Sequence, residues 1–119
     1  MVVRYVSAQP ATKYYAWQVE VMLNNFVSVG INLNYVDVVC WKQDGIIPIE
    51  WSKLAQGYAA RFFFYDDQRI TKFYVSSIRP NILKQHFKAH PYLSEDAIFY
   101  HDCDIVFTKQ LICLLYTSD

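Results

Sequence analysis

Ile98-Phe99-Tyr100-His101-Asp102-Cys103-Asp104-Ile105-Val106-Phe107 is the stretch on which the fold turns. Aromatic and β-branched residues surround two carboxylates one residue apart. The pattern predicts a strand over Ala97 to Phe107 with the acidic pair inside it. Alternate side chains on extended backbone leave by one face, so Asp102 and Asp104 would point the same way. Burying carboxylates is costly unless something positive meets them. Two oxygen donors at a strand end suit a hard divalent cation such as Mg²⁺, which one or two carboxylates and substrate phosphates ordinarily hold. The pair therefore points to metal and phosphate chemistry. The plainer alternative is an acidic strand-to-loop corner.

Working outward, strand and helix patterns alternate. Val2 to Ser7 is β-branched and aromatic and predicts a first strand, with Gln9-Pro10-Ala11-Thr12 breaking it. From Thr12 to Val29, apolar residues recur at three- and four-residue steps (Ala16, Val19, Leu23, Phe26), which predicts an amphipathic helix with Gly30 at its C-cap. Tyr35 to Trp41 is nearly all apolar, as expected of a strand buried on both faces. A turn around Gly45 and a short helix over Ile49 to Gln56 follow. Arg61 to Tyr65 predicts a third strand, with Asp66 and Asp67 at its carboxyl end. Thr71 to Ala89 has helical composition, and Pro80 should kink or split it. Alternating strands and helices imply an α/β, Rossmann-like parallel sheet of about four strands with flanking helices. Ligands of such sheets bind at the carboxyl ends of the strands, where the strand order reverses. Ser7 to Pro10, Trp41-Lys42, Asp66-Asp67 and Asp102-Asp104 should converge there.

Composition narrows the classes. The chain of 119 residues is enough for one domain, and 54% hydrophobic content supplies a core. The formal net charge is zero, so nothing draws it toward nucleic acid. No apolar run approaches the roughly 20 residues of a transmembrane helix. Cys40 and Cys103 lie in apolar runs and form neither a disulfide framework nor a zinc pattern, so a reducing, cytoplasmic setting is expected. His86, His90 and His101 do not cluster as ligands in sequence, although His101 adjoins Asp102.

An apolar strand ending in Asp-x-Asp late in such a series resembles the nucleotide-sugar glycosyltransferases of the GT-A fold. Asp66-Asp67-Gln68-Arg69, Tyr74 and Ser77-Ile78-Arg79-Pro80, ahead of Tyr100 to Val106, are similar in spacing to that superfamily. The resemblance covers Val2 to roughly Phe107, the nucleotide-binding half of such an enzyme. It implies that Asp104 binds Mn²⁺ or Mg²⁺ directly, and that Asp102 contacts the metal through water or the ribose. Asp67 would reach the base or ribose, and Arg79 the diphosphate. Ser7, Ala8 and Gln9, with Pro10, would form a first loop approaching the base. The implied partners are a nucleotide-diphosphate sugar donor and an acceptor the sequence does not specify. For Asp67 the alternative role is a turn, for Arg79 a surface cation, and for Trp17, Trp41 and Tyr74 packing.

Two other classes stay open. Asp102-Cys103-Asp104-Ile105-Val106 also satisfies the motif of haloacid-dehalogenase-like phosphatases, although that motif normally opens its domain. A non-catalytic Rossmann-like binding module is the third class. Finally, Cys113-Leu-Leu-Tyr-Thr-Ser-Asp119 looks like a translated sequencing adapter and is set aside as a non-native tail. Residues 1–112 are thus expected to be a truncated half-domain without transferase turnover of its own.

Overall fold

The computed structural model describes residues 3–66 and 78–103. Four strands form one sheet, β1 (Val3–Pro10), β2 (Val36–Trp41), β3 (Arg61–Tyr65) and β4 (Ala97–Tyr100). Every pairing is parallel and the order is β3-β2-β1-β4. These are the first four strands of a doubly wound arrangement, so the chain is α/β and Rossmann-like. Helices α1 (Lys13–Ser28), α2 (Ile49–Gly57) and α3 (Ile78–Ala89) alternate with the strands. None of the described helices is long and apolar enough to cross a membrane.

Local chemistry sets the boundaries. Thr12 is extended and its Oγ1 accepts from Tyr15 N–H, which starts α1. At the other end Gly30 adopts φ 85°, Ile31 N–H bonds Phe26 O at 2.9 Å, and Gly30 N–H bonds Val27 O at 3.1 Å. This pair of bonds is a Schellman cap, which needs a residue tolerant of left-handed backbone at position 30.

The two faces of the sheet differ. Tyr5, Val38 and Cys40 face α1 and α2 and pack with Val19, Leu23, Phe26, Trp51 and Leu54. Trp51 is fully buried. Its indole N–H donates to Thr12 O at 2.8 Å, and its ring meets Phe62 and Phe64 edge-on. On the opposite face α3 covers Val6, Ala8, Val39 and Trp41 with Ile78 and Ile82.

That second face also carries buried charge. Asp37, the second residue of β2, is fully buried. Arg61 Nε lies 3.1 Å and Arg4 Nη1 3.4 Å from its Oδ1, and His86 Nε2 lies 2.9 Å from its Oδ2. Arg4 also reaches Asp96 at 3.1 Å, and the Tyr65 hydroxyl lies 2.8 Å from His86 Nδ1.

Two boundaries differ from expectation. The first strand does not end at Ser7 but runs to Pro10, pairing with β2 as far as Pro10 beside Trp41. Proline is tolerated there because even-numbered residues of β1 turn their backbone groups toward β4, as Val6 O does in accepting from His101 N–H. Since β4 has ended at Tyr100, the missing N–H of Pro10 costs no ladder bond. The fourth strand, expected to reach Phe107, stops at Tyr100, so Asp102 follows the strand instead of lying inside it. Helix α3 is described over Ile78–Ala89 and contains Pro80. Residues 71–77 of the longer expected helix lie outside the described residues.

Removing the Asp37 carboxylate would strand Arg4 without its buried partner. Asp37→Ala is expected to cost about 3–5 kcal/mol of stability in urea unfolding. Asp66→Ala, which breaks only the exposed 3.4 Å pair with Lys42, should cost less than about 1 kcal/mol. Equal losses at the two positions would contradict this ranking.

Candidate functional site

Helices α1 and α2 pack on one face while α3 covers the other, and the chain leaves β3 to return on the far side of β1. The strand order therefore reverses between β1 and β4. The crevice expected at such a switch point lies where β1 continues to Pro10 while the described β4 pairs no further than Tyr100 opposite Val6.

Of the residues nominated from sequence, Ala8 and Arg79 touch here, and Asp102 follows the end of β4. Ala8 O, past the end of β4, accepts from Arg79 Nε at 3.0 Å. The guanidinium thus occupies a rung that a longer β4 would have filled. Its carbon lies 5.8 Å from the centre of the Trp41 ring, in cation–π range. Asp102 is exposed, two residues beyond the end of β4. Tyr100 lies within electrostatic reach of both. Partial burial raises its hydroxyl pKa, the Arg79 cation lowers it, and the Asp102 carboxylate raises it. An anchored cation and an exposed carboxylate therefore flank the topological switch point.

Ser7 and Gln9 take another place. They lie in β1, fully buried and facing α1, not in a loop open to solvent, and Ala8 is 3% exposed. Trp41 is buried beneath α3, whereas Trp17 is exposed on α1. Asp67, Tyr74 and Asp104 lie outside the described residues.

Beside the crevice, a cleft of about 540 Å³ is lined by Trp41, Lys42, Gln43, Asp44, Gly45, Asp66 and Ile78. Its floor is built by a tight turn. Asp44 and Gly45 have φ 56° and 72°, and Ile46 N–H bonds Gln43 O at 3.2 Å. Asp-Gly is a favoured pair for two successive left-handed residues. Lys42 lies 3.4 Å from Asp66 across the cleft.

His101 links the site to the core. It is 5% exposed and surrounded by Tyr5, Phe26 and Phe99. Its Nδ1 lies 2.8 Å from Asp102 O. Burial pushes the imidazole pKa below its usual 6.5, and the hydrogen bond and charge of Asp102 only partly oppose this. The ring is therefore held neutral beside the exposed carboxylate.

Cys40 and Cys103 are buried free thiols. Burial pushes the Cys40 thiol pKa far up, so it remains protonated and is no nucleophile. Among the described residues, no group of three histidine, cysteine or carboxylate side chains is placed to hold a metal. Asp102 offers one exposed carboxylate of the kind a hard cation takes. Mg²⁺ commonly takes one or two carboxylates and completes its shell with water and phosphate oxygens.

The sequence did not single out the Asp37 cluster. One charged residue inside the apolar run Val36–Trp41 was the available signal, with Arg4 and Arg61 near the starts of the flanking strands. That cluster lies toward the amino ends of the strands and serves the fold. Comparison with protein-family models, curated proteins and solved structures returned no match.

A testable pH dependence follows from His101. The native ring resists protonation, while the unfolded one takes a proton near 6.5. Below that pH the unfolded state binds more protons, so stability falls as pH drops. The slope from this group is at most about 1.4 kcal/mol per pH unit. Urea unfolding between pH 7.5 and 5.5 should show the loss, and His101→Phe should flatten it. An unchanged slope in the variant would rule the contribution out.

Proposed function

We propose that this chain is the nucleotide-sugar-binding part of a metal-dependent glycosyltransferase of the GT-A type. It binds a nucleotide-diphosphate sugar donor at the carboxyl edge of its sheet, for transfer of the glycosyl group to an acceptor. The observation that carries the proposal is the exposed Asp102 just beyond β4, on the strand that neighbours β1, to which the Arg79 guanidinium is bonded. Open α/β sheets take their ligands at this place.

The chemistry is consistent with those groups. A diphosphate carries charge that a guanidinium can meet with two parallel N–H donors. Arg79 uses Nε on Ala8 O, so the backbone holds its plane while the terminal nitrogens lie further out on the fork. Asp102, together with Asp104, would hold Mn²⁺ or Mg²⁺, which as a Lewis acid supplies charge stabilisation at the departing diphosphate. The polar cleft beside Trp41 offers room for further parts of the donor. The neutral His101 leaves the acidic character of the Asp102 turn undiminished.

Calorimetric titration of the full chain with nucleoside diphosphates and nucleotide-sugars tests the proposal. Binding should require Mn²⁺ and disappear with a chelator. Asp102→Asn and Asp104→Asn should each weaken it by about tenfold or more, about 1.4 kcal/mol, while the urea midpoint stays within the range of a surface substitution. Affinity that is indifferent to the chelator, or unaltered in both variants, would refute it.

A further inference from the structure

Strand β3 ends the sheet, with β2 on one side of it. Its backbone groups divide by position. Lys42 N–H donates to Tyr65 O at 2.8 Å, so Tyr65 turns its hydrogen-bonding groups toward β2. Alternate residues of a strand point the same way, so Phe63 and Arg61 also bond β2. The N–H and C=O groups of Phe62 and Phe64 consequently point away from the sheet. Among the described residues, no strand lies on that side.

Natural edge strands are commonly guarded by lysine, proline or a bulge. β3 reads Arg-Phe-Phe-Phe-Tyr, with all five residues half-buried. Its one charge stands at the first position and is paired, since Arg61 Nε lies 3.1 Å from the buried Asp37. The formal net charge of the chain is zero, so two copies do not repel each other as a whole.

The strand is also its own complement. An antiparallel second copy with Phe63 opposite Phe63 sets Phe62 opposite Phe64 and Arg61 opposite Tyr65. The hydrogen-bonded pairs of an antiparallel ladder must then be Phe62 with Phe64, each pair exchanging two bonds. Those are the residues whose backbone groups point outward. Phe63 falls at the alternate position, where paired Cα atoms approach to about 4.5 Å and side chains meet most closely. Its ring lies 4.6 Å from that of His86 and 4.8 Å from that of His90, so it would meet the other Phe63 from a fixed position. On the same face Arg61 would meet a tyrosine ring. On the opposite face Phe62 and Phe64, both edge-on to Trp51, would meet each other. Aromatic cross-strand pairs of this kind stabilise a sheet. A parallel copy in register would instead set Arg61 beside Arg61, and like charges directly opposite destabilise.

We propose that β3 is a self-association surface, through which two copies of this chain pair antiparallel about a two-fold axis at Phe63 and form one continuous sheet. The contact uses the same patch on both copies and therefore closes at two. β2 and β1 separate the axis from the switch point. Because the paired strands run in opposite directions, the carboxyl edges of the two copies face opposite ways.

Sedimentation velocity and amide hydrogen exchange of the full chain, each over a range of concentrations, test this. The mass should rise from one chain to two and no further. The Phe62 and Phe64 amides should exchange severalfold more slowly as the dimer forms, whereas the Phe63 amide, bonded to β2, should be protected throughout. Phe64→Pro removes an outward N–H and leaves the ladder to β2 intact. The two bonds lost across the axis should weaken dimerisation about tenfold or more, with the Phe63 amide still protected. A chain that stays single at every concentration would overturn the proposal. So would a dimer in which Phe62 and Phe64 exchange as fast as in the monomer. Protection of those two amides that ignores concentration would overturn it as well, because a segment of the same chain would then lie on the edge. Undiminished association of a folded Phe64→Pro chain would do the same.

Discussion

A carboxylate removed from solvent holds the sheet together. Asp37 sits inside an otherwise apolar strand, where an unpaired charge would be costly. Arg4, Arg61 and His86 supply donors from the strand on its left, the strand on its right and the helix above. Asp37 stands directly beside Arg61 in the ladder, and Arg4 reaches it from two residues before its other neighbour, Val6. A one-residue slip would turn any of these side chains to the opposite face. The charge thus specifies register in a parallel sheet, whose connections are long and whose apolar strands look alike. The same contacts fix α3 over the sheet, and with it Ile78 and Arg79 at the other end.

The two ends of the sheet consequently do different things. Toward the amino ends, opposite charges meet and close the structure. At the carboxyl ends, neighbouring strands have unequal lengths. Among the described residues, no strand pairs with Ala8 and Pro10 of β1 beyond Tyr100, and each position meets that in its own way. Arg79 donates to Ala8 O, and Pro10 has no N–H to satisfy. The crevice therefore follows from a ladder that ends early, with a guanidinium in place of the next rung.

Much of this architecture was legible in the sequence. The spacing of Ala16, Val19, Leu23 and Phe26 located α1, and Gly30 located its cap. The unbroken apolar run before Trp41 marked a strand buried on both faces. The strand ends were harder. Gln9-Pro10 reads as a break, yet which side of a strand a proline faces depends on the neighbour that has already stopped. Asp102 looked like part of its strand because local propensity continues through Phe107, whereas the ladder stops where Arg79 takes the next position. Asp102 was legible as a candidate from its acidic pair in an apolar run, whereas Ala8 and Arg79 were nominated through the resemblance. Ser7 and Gln9 were legible as polar residues near the edge, but their burial depends on α1 lying over them. The Asp37 cluster was not legible, because four residues far apart in sequence define it.

Burial of His101 connects these threads. Rings from β1, α1 and β4 enclose the imidazole and keep it neutral, so no positive charge accumulates beside Asp102. Among the described residues, the nearby cations are already held in place. Arg79 is fixed by Ala8 O and Trp41, and Lys42 by Asp66. The turn after β4 consequently keeps its negative charge at the sheet edge, while a fixed positive group is bonded to the neighbouring strand β1. Charges of opposite sign at one sheet edge suit a ligand that carries both signs, and a diphosphate chelating a divalent cation is such a ligand.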